Sequence, residues 1–419
     1  MLSPALLKDS MLRRPSNIHT PQSDEIPISP CYLNYNQRRR SSDEGSRSSG
    51  GRRPSLLLVP DSNAQNERRV SIMSKKKRKF STDSGLFRSQ PPDMTLSSSV
   101  EVRLSNLCLQ NDAEVETIVY THQYTADPTL AWEMLKEKRP VKPVRPMTLD
   151  TPPKLDHVRF VCIGCTHGVK FDPASLPRGD VLLVAGDFTT CGLPSEVHSF
   201  NKLLGRLKHA YKVVIAGNHE CTFDDEFLRS KREVGPKEMA LKQALRASLS
   251  STKVTSSKSL LTNAIYLEDS VIELFGITIY GTPWQPRIDN WAFNLTRGQA
   301  LLDKWNQIPA AVDVLLTHTP PLGHGDKMRD GRRLGCVELL NSVCKRIKPK
   351  YHVFSHVHEG YGCTSDGYTK FINCCICDEN LMATNSPIIF DIPVHQQTKQ
   401  FYLQNIKKIM KRYSRPEKK

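Results

Sequence analysis

The stretch Val214-Ile215-Ala216-Gly217-Asn218-His219-Glu220 decides the fold that we expect for this 419-residue chain. Its first half completes an apolar, β-branched run from Lys212 to Ala216, which predicts a buried strand. Its second half places an amide, an imidazole and a carboxylate directly after that strand, and the intervening glycine permits a tight turn. The sequence therefore predicts a strand that delivers polar side chains at its carboxyl end.

Four further apolar runs, Arg159–Ile163, Val181–Ala185, Val312–Thr317 and His352–Ser355, end in the same way. In open α/β sheets, ligands bind beyond the carboxyl ends of the strands. One such motif is weak evidence for a metal site, whereas five in order are strong evidence, because strand ends seldom all carry metal-ligand residue types by chance. The side chains delivered are Cys165 and His167, Asp187, Asn218 with His219 and Glu220, His318, and His356 with His358.

The rest of the chain alternates strand and helix patterns, which predicts an α/β sandwich with crossover helices. Further strands are predicted at Ile277–Gly281, Tyr368–Asn373, Pro387–Asp391, Val100–Leu104 and Thr117–Tyr120. Helices are predicted at 197–207, Pro236–Leu249, 300–308, 337–347 and Thr129–Lys138.

The charge of +16 lies at the two ends of the chain. Residues 1–100 hold 17 Lys and Arg against 9 Asp and Glu, and residues 396–419 hold 8 against 1, so the middle is nearly neutral and nucleic acid is disfavoured as a partner. We expect a disordered basic Ser/Arg-rich extension (1–100), a lead-in segment (101–154) that is extended over Pro140–Pro153, an α/β domain (155–395) and a basic tail (396–419). In the tail, Phe401, Ile406, Ile409 and Met410 predict a helix face that docks on a partner, a membrane surface or the domain itself.

The N-terminal extension contains sequence patterns that are typical of localisation and modification signals. Arginine pairs precede serines, as in Arg13-Arg14-Pro15-Ser16 and Arg52-Arg53-Pro54-Ser55, which favours a basophilic kinase as partner; a solvated basic tail is the alternative. Lys75–Lys79 is similar to a nuclear-localisation cluster. The sequence has no apolar run of transmembrane length and no secretory signal, so we expect a cytoplasmic protein with reduced cysteines and nuclear import as an alternative.

The ordered motifs resemble the calcineurin-like metallophosphoesterase superfamily, whose pattern is Asp-x-His, Gly-Asp, Gly-Asn-His-Glu, a lone His and Gly-His-x-His. The resemblance covers about residues 155–395. Several stretches are most similar to the animal metallophosphoesterase domain-containing proteins: 192–197, 214–220, 281–284, 295–306 and 358–362. The resemblance implies a four-layer α/β/β/α metallophosphoesterase sandwich.

The resemblance also implies two divalent metal ions, of Mn, Zn, Fe or Mg, joined by Asp187. The metal-one site would consist of Cys165, His167, Asp187 and His358, and the metal-two site of Asp187, Asn218, His318 and His356. The implied reaction is hydrolysis of a phosphodiester, with cyclic nucleotides as the substrate class, by a hydroxide that bridges the ions. His219 would give a proton to the leaving alkoxide, and Glu220 would orient the site.

Cys165 departs from the family pattern, which has Asp at this position. Three interpretations stay open: a thiolate ligand that favours softer ions such as Zn²⁺, a weakened metal-one site with slow turnover, or a pseudoenzyme that still binds a nucleotide or phosphate. The alternative to an enzyme is therefore an inactive nucleotide-binding or scaffold protein with the same fold.

Smaller features carry weaker expectations. Ser355 replaces the family glycine before His356, and Trp284 is the candidate wall of the substrate site. The loop Gly323–Asp326 is expected to be solvated. Cys374, Cys375 and Cys377 are expected to be buried core thiols, because no fourth zinc ligand accompanies them.

Overall fold

The computed structural model describes residues 117–169, 171–230 and 235–413. The predicted extension, its serines, the Lys75–Lys79 cluster and the strand predicted at Val100–Leu104 lie outside these residues. Residues from Ile118 onward belong to one compact unit.

The described residues contain fourteen strands and eight α-helices. The strands are β1 Lys142–Val144, β2 His157–Ile163, β3 Val181–Ala185, β4 Tyr211–Ile215, β5 Ile265–Tyr266, β6 Ser270–Leu274, β7 Ile277–Thr282, β8 Gln285–Pro286, β9 Asn294–Leu295, β10 Val314–Thr317, β11 Tyr351–Phe354, β12 Gly362–Ser365, β13 Lys370–Asn373 and β14 Ile388–Pro393. The helices are α1 Pro128–Leu135, α2 Pro194–Arg206, α3 Asp225–Arg229, α4 Pro236–Thr252, α5 Gln299–Asn306, α6 Val337–Ser342, α7 Gln396–Gln404 and α8 Ile406–Tyr413. A single π-helical turn, Val343–Ile347, continues α6.

The strands form two large sheets and one short ribbon. One sheet has five strands in the order β14-β2-β3-β4-β5, and the other has seven in the order β1-β12-β13-β11-β10-β7-β6, while β8 pairs with β9 alone. Within the first sheet β2, β3 and β4 are parallel neighbours, and within the second β10 and β11 are. The carboxyl ends of these five strands carry the predicted site residues.

Alternating side chains assign each sheet an inner and an outer face. From β2, Phe160 and Cys162 enter the apolar core shared by the two sheets, whereas Val161 and Ile163 enter the core beneath α2 and α4. A third core packs α5 and α6 against the seven-stranded sheet, with the fully buried Trp305 at its centre. The result is the expected four-layer α/β/β/α sandwich.

The segment before the predicted domain is part of this architecture. Strand β1 pairs antiparallel with β12 at the edge of the larger sheet. Helix α1 places Trp132 against Leu322 and Val337, and the indole occupies the space where any side chain at Gly323 would lie. The guanidinium of Arg333 lies 4.7 Å from the centroid of the Trp132 ring. Residues 117–154 therefore pack on the sheets rather than only lead into them.

The C-terminal segment also docks on the domain, which was one of three predicted alternatives. Tyr402, Ile406, Ile409 and Met410 pack against the core between the sheets. The hydroxyl of Tyr211 donates a hydrogen bond to the carbonyl of Tyr402 at 2.8 Å.

Eight predicted strands of the domain are confirmed within two residues at each end. All five predicted helices are present, but only the one predicted at 300–308 is within two residues at both ends. The strand predicted at Thr117–Tyr120 is wrong, since these residues are irregular and the side chains of Ile118 and Tyr120 are 64% and 74% exposed. A β-branched run alone does not form a strand when no neighbouring strand pairs with it. Strands β1, β5, β6, β8, β9 and β12 were not predicted.

Candidate metal centre

The structure brings the seven predicted ligand residues to one point between the sheets. Four of them follow strands of the five-stranded sheet: Cys165, His167, Asp187 and Asn218. Three follow strands of the seven-stranded sheet: His318, His356 and His358. Three groups of possible ligand atoms lie within 4.8 Å of one another among the described residues, and their members are Cys165, His167 and His358; Cys165, Asp187 and His318; and His167, Asp187 and His219.

His318 is the hub of the metal-two site. Its Nε2 lies 3.0 Å from Asn218 Oδ1, 3.2 Å from Asp187 Oδ2 and 3.1 Å from His356 Nδ1. Its Nδ1 lies 2.8 Å from the carbonyl of Ala185, which can only accept, so Nδ1 carries the hydrogen and Nε2 has a lone pair in the neutral ring. The metal-two site therefore gathers atoms that are chiefly acceptors.

These contacts fit a bound cation. Ligand atoms of a tetrahedral ion with bonds of about 2.1 Å lie about 3.3 Å apart, which is close to the three separations around His318. The Nε2 atom of His356 is buried and has no hydrogen-bond partner among the described residues. The other ring nitrogen, Nδ1, lies 3.1 Å from His318 Nε2 and is the atom that His356 offers to the metal-two site.

The metal-one site is built from two imidazoles and a thiol. His167 Nε2 and His358 Nε2 lie 3.1 Å apart, and His358 Nδ1 donates to the carbonyl of Asp378 at 2.7 Å. Cys165 Sγ lies 3.8 Å from Asp187 Oδ2 and accepts a hydrogen bond from the backbone N–H of His356 at 3.1 Å. The carbonyl of Asp378 thus fixes the tautomer of His358 and turns its lone pair toward His167.

The ionisation of the buried groups depends on their neighbours. Burial lowers the pKa of His318, but the Asp187 carboxylate outweighs burial and raises that pKa to about 9. Burial raises the pKa of Asp187, yet the charge of His318 holds it below its usual value. Burial opposes ionisation of Cys165, but hydrogen bonding to Cys375 and the charge of His358 hold the pKa of the thiol well below its usual value. In the metal-free chain, a proton on His318 therefore supplies the positive charge that Asp187 requires.

His219 lies beside the ligands with its ring held on three sides. Its Nδ1 lies 2.7 Å from the carbonyl of Thr190, so Nδ1 carries the hydrogen. Its backbone N–H donates to Asp187 Oδ1 at 2.9 Å. The indole of Trp291 stacks on the imidazole with centroids 4.3 Å apart and planes at 27°. Burial lowers the pKa of His219 to about 4, so the ring is neutral in the metal-free chain at pH 7.

Glu220 accepts hydrogen bonds from both neighbouring strand ends. Its carboxylate receives the backbone N–H groups of Asp187, Thr189 and Gly217 and the hydroxyl of Thr189, at 2.7–2.9 Å. Burial and the charge of Asp187 raise the pKa of Glu220 to about 8, whereas the four donors favour the ionised form. Glu220 therefore fixes the backbone on which Asp187 stands, which agrees with the predicted orienting role.

Four ligand residues have left-handed backbone conformations: Cys165 and His167 (φ 45°), Asp187 (φ 54°) and His356 (φ 70°). Such conformations cost about 1–3 kcal/mol each for residues other than glycine and persist where the surroundings enforce them. Among the described residues, twelve non-glycine residues have such a conformation, and these four lie in the turns that aim the candidate ligands.

The expected solvated loop at Gly323–Asp326 is wrong. His324 and Asp326 are 1% and 0% exposed. His324 stacks on Phe371 at 3.7 Å between centroids, and Asp326 forms an ion pair with Arg333. Glycine and polar residues predict a turn, but α1 and β13 cover this one.

Three functional neighbours were not predicted from the sequence. Cys374, Cys375 and Cys377 are all buried, as expected, and Cys375 lies beside Cys165. Asn373 donates to the carbonyls of Gly325 and Val357 at 3.0 and 2.8 Å and thereby holds the loop before His358. Trp291, rather than Trp284, touches His219. The sequence shows that the cysteines are clustered. Which of them faces the candidate ligands depends on how the side chains of residues 373–377 alternate.

An open cavity of about 140 Å³ adjoins Trp291. Trp284, Arg287, Lys242 and Phe227 also line it. Trp284 donates from its indole to Asp269 at 2.8 Å, and the Lys304 ammonium lies 4.2 Å from its ring centroid. The same lining includes Asp224, Glu226 and Glu238, and Lys242 forms an ion pair with Glu238 at 2.9 Å, so the cavity combines aromatic faces with charges of both signs.

A two-sheet sandwich that joins His, Asp and Asn ligands at its strand ends defines the class of a metallophosphoesterase. Residues 158–360 match the Calcineurin-like phosphoesterase family. The chain is 60% identical to a UPF0046 protein of Caenorhabditis elegans, over 99% of this chain and 100% of that protein. It is 46% identical to Metallophosphoesterase domain-containing protein 1 of Homo sapiens, over 66% of this chain and 85% of that protein. The chain belongs to the calcineurin-like phosphoesterase family.

The family uses divalent metals, and the groups described above are candidate ligands. A search of the described residues for bilayer-crossing helices finds none of sufficient length and apolar character.

Proposed function

We propose that the chain is a metal-dependent phosphodiesterase, with cyclic nucleotides as the substrate class to test first. The observation that carries the proposal is the convergence of His318, Asp187, Asn218 and His356 around one point. We propose domain bounds of 155–395 for the catalytic unit, with the flanking segments packed on it.

Two divalent ions, of Mn, Zn, Fe or Mg, would be held by the metal-one and metal-two sites, with Asp187 common to both. When bound, they would polarise the phosphoryl oxygens and activate water. Asp187 Oδ2 lies 3.2 Å from His318 Nε2 and 3.8 Å from Cys165 Sγ, so the carboxylate already links the two groups of residues.

A proton that His219 gives to the leaving group would be carried on Nε2, because the Thr190 carbonyl occupies Nδ1. Since the ring of the metal-free chain is neutral at pH 7, Nε2 would have to be protonated before that transfer. Trp291 restrains the ring, and Glu220 restrains the backbone of Asp187. The cavity lined by Trp284, Trp291 and Arg287 would take the organic part of the substrate.

The test pairs metal analysis of the purified protein with hydrolysis of bis-nitrophenyl phosphate and of cyclic nucleotides. Two ions per chain with turnover supports the proposal. Fewer than two ions, with nucleotide binding but no turnover, would support the alternative of an inactive nucleotide-binding protein. Faster hydrolysis of cyclic nucleotides and bis-nitrophenyl phosphate than of nitrophenyl phosphate, a monoester, would support the diesterase class.

Asp187→Ala is the matched variant for this test. We expect it to lose both ions and all turnover, because it removes the shared ligand. Retention of two ions per chain by this variant, measured by the same metal analysis, would refute the ligand assignment.

A further inference from the structure

Ser355 holds the hub ligand His318 at both its backbone and its ring. The backbone N–H of Ser355 donates to the carbonyl of His318 at 3.1 Å. The Ser355 hydroxyl lies 3.3 Å from His318 Nδ1 and donates to the carbonyl of Ala185 at 2.6 Å. The same carbonyl lies 2.8 Å from His318 Nδ1. Ser355 Oγ, Ala185 O and His318 Nδ1 therefore form a closed triangle on the side of the ring away from Nε2.

This triangle joins the two sheets at the metal-two site. Ala185 ends β3 of the five-stranded sheet, two residues before Asp187. Ser355 follows β11 of the seven-stranded sheet and directly precedes His356, while His318 follows β10 of the same sheet. The hydroxyl thus connects the chain segments that carry three of the four metal-two candidates. Contacts behind a ligand of this kind set the direction in which its donor atom points.

The fold reserves space for the Ser355 side chain. A Cβ at Gly164 would lie 2.7 Å from the Ser355 Cβ and 2.8 Å from its Oγ, which is closer than side chains approach. Ser355 is fully buried, so its hydroxyl cannot exchange the Ala185 carbonyl for water without a cost. The family pattern has glycine at position 355, and glycine has no hydroxyl. The contact is therefore a feature of this chain rather than of the pattern.

We propose that Ser355 is a positioning residue of the metal-two site, because its hydroxyl holds His318 against the end of β3 with Nε2 presented to the other ligands. This inference rests on the metal-two site of the proposed function. His318 Nε2 lies 3.0 Å from Asn218 Oδ1 and 3.2 Å from Asp187 Oδ2, and a turn of the ring would lengthen both distances. Loss of the hydroxyl should then weaken one ion although every ligand remains.

The experiment is a Zn²⁺ titration of the full metal-free chain in competition with a chromophoric chelator, which measures the affinity of each ion. Ser355→Ala keeps the Cβ and loses only the hydroxyl. We expect it to weaken one ion by about 10–100-fold, as loss of a group behind a metal ligand does, and to leave the other unchanged. Ser355→Gly, which also lacks the hydroxyl, should show the same selective loss.

Ser342→Ala is the matched control. Ser342 lies on α6 and is also fully buried, but its hydroxyl has no hydrogen-bond partner among the described residues. Its removal should leave both zinc affinities unchanged. Circular dichroism confirms that each variant is folded.

Two ligand variants identify the ion that is weakened. His358→Ala removes a metal-one ligand, so adding Ser355→Ala should weaken the ion that remains. His318→Ala removes a metal-two ligand, so adding Ser355→Ala there should change nothing.

A merely structural role for Ser355 would lower the free energy of unfolding and affect both ions alike. Equal weakening of both ions, no weakening of either, or a chain that binds no zinc would overturn the inference. Selective weakening in a protein that hydrolyses no phosphodiester would sustain it and overturn the proposed enzyme instead.

Discussion

At the scale of single residues, His219 shows how neighbours define one reactive atom. The Thr190 carbonyl takes Nδ1 and the Trp291 indole covers a ring face, so the imidazole cannot turn to present another nitrogen. The adjacent Asn218 turns its oxygen toward His318 instead. Two consecutive side chains therefore serve different partners.

His219→Ala tests the proton-transfer role. We expect the metal content to be retained and the hydrolysis of diesters with poor leaving groups to fall by about 10²–10⁴-fold, which is the usual contribution of a general acid. Nitrophenyl esters should lose less, because their leaving group needs no proton. An equal loss of kcat on both substrate types would contradict the assignment, and Trp291→Phe, which keeps an aromatic ring, is the control for local packing.

At the scale of elements, the turns after β2, β3 and β11 aim the ligands. Gly186 has a φ of +86°, and a Cβ there would lie 2.6 Å from both the Gly217 nitrogen and His318 Nδ1. The turn after β3 therefore requires glycine for its conformation and for the closeness of the two sheets.

Gly186→Ala should lower the free energy of unfolding and abolish metal binding. Gly276→Ala is the matched control, because Gly276 has a similar φ of +76° and a Cβ there would meet no described atom within 4 Å. The left-handed conformation alone should cost about 1–2 kcal/mol, and chemical denaturation should show a larger loss for Gly186→Ala. Equal losses of unfolding free energy in the two variants, with metal binding intact, would show that the turn after β3 accommodates a side chain at position 186.

The elements also show what the sequence could predict. The parallel strands β2, β3 and β4 are continuous apolar runs because both of their faces are buried, so their pattern is strong. Strand β12 is half-buried and contains Gly362 and Thr364, and only pairing with β1 and β13 makes it a strand. The candidate ligands could be predicted because each of them lies in a short motif directly after a strand. The stacking of Trp291 on His219 joins segments far apart in the chain, and no local pattern encodes it.

At the scale of the whole molecule, the metal centre joins two sheets that otherwise meet through apolar side chains. Four ligands belong to one sheet and three to the other, so bound ions would cross-link the sandwich. Removal of metal by a chelator should lower the free energy of unfolding, by about 2.7 kcal/mol for each ion that had been at 100 times its Kd. Thermal unfolding with and without chelator measures this, and Asp187→Ala should show no chelator effect.

Stability should also depend on pH through His324, which is buried away from the ligands. Burial lowers its pKa to about 3, with Asp366 and Arg333 as the charges that face it. As the pH falls, His324 therefore takes up a proton near pH 6.5 in the unfolded chain but only near pH 3 in the folded chain. Between these values this histidine should cost about 1.4 kcal/mol of stability per pH unit as the pH falls.

Denaturation at pH 7 and pH 5 measures this dependence. His324→Gln should reduce the loss of stability between the two pH values, whereas His395→Gln, at an exposed residue, should leave it unchanged. The same loss in the unaltered protein and in His324→Gln would exclude His324 as the cause.

The packing of Trp132 against Gly323 has a consequence for how these two positions vary during evolution. Helix α1 lies outside the family's matched region, while Gly323 lies within it, yet the indole fills the space above that glycine. A lineage that acquires a side chain at position 323 must first reduce the bulk at position 132, and a lineage that loses Trp132 frees position 323 to vary. These two positions should therefore change together among relatives that keep α1 and independently among those that lack it.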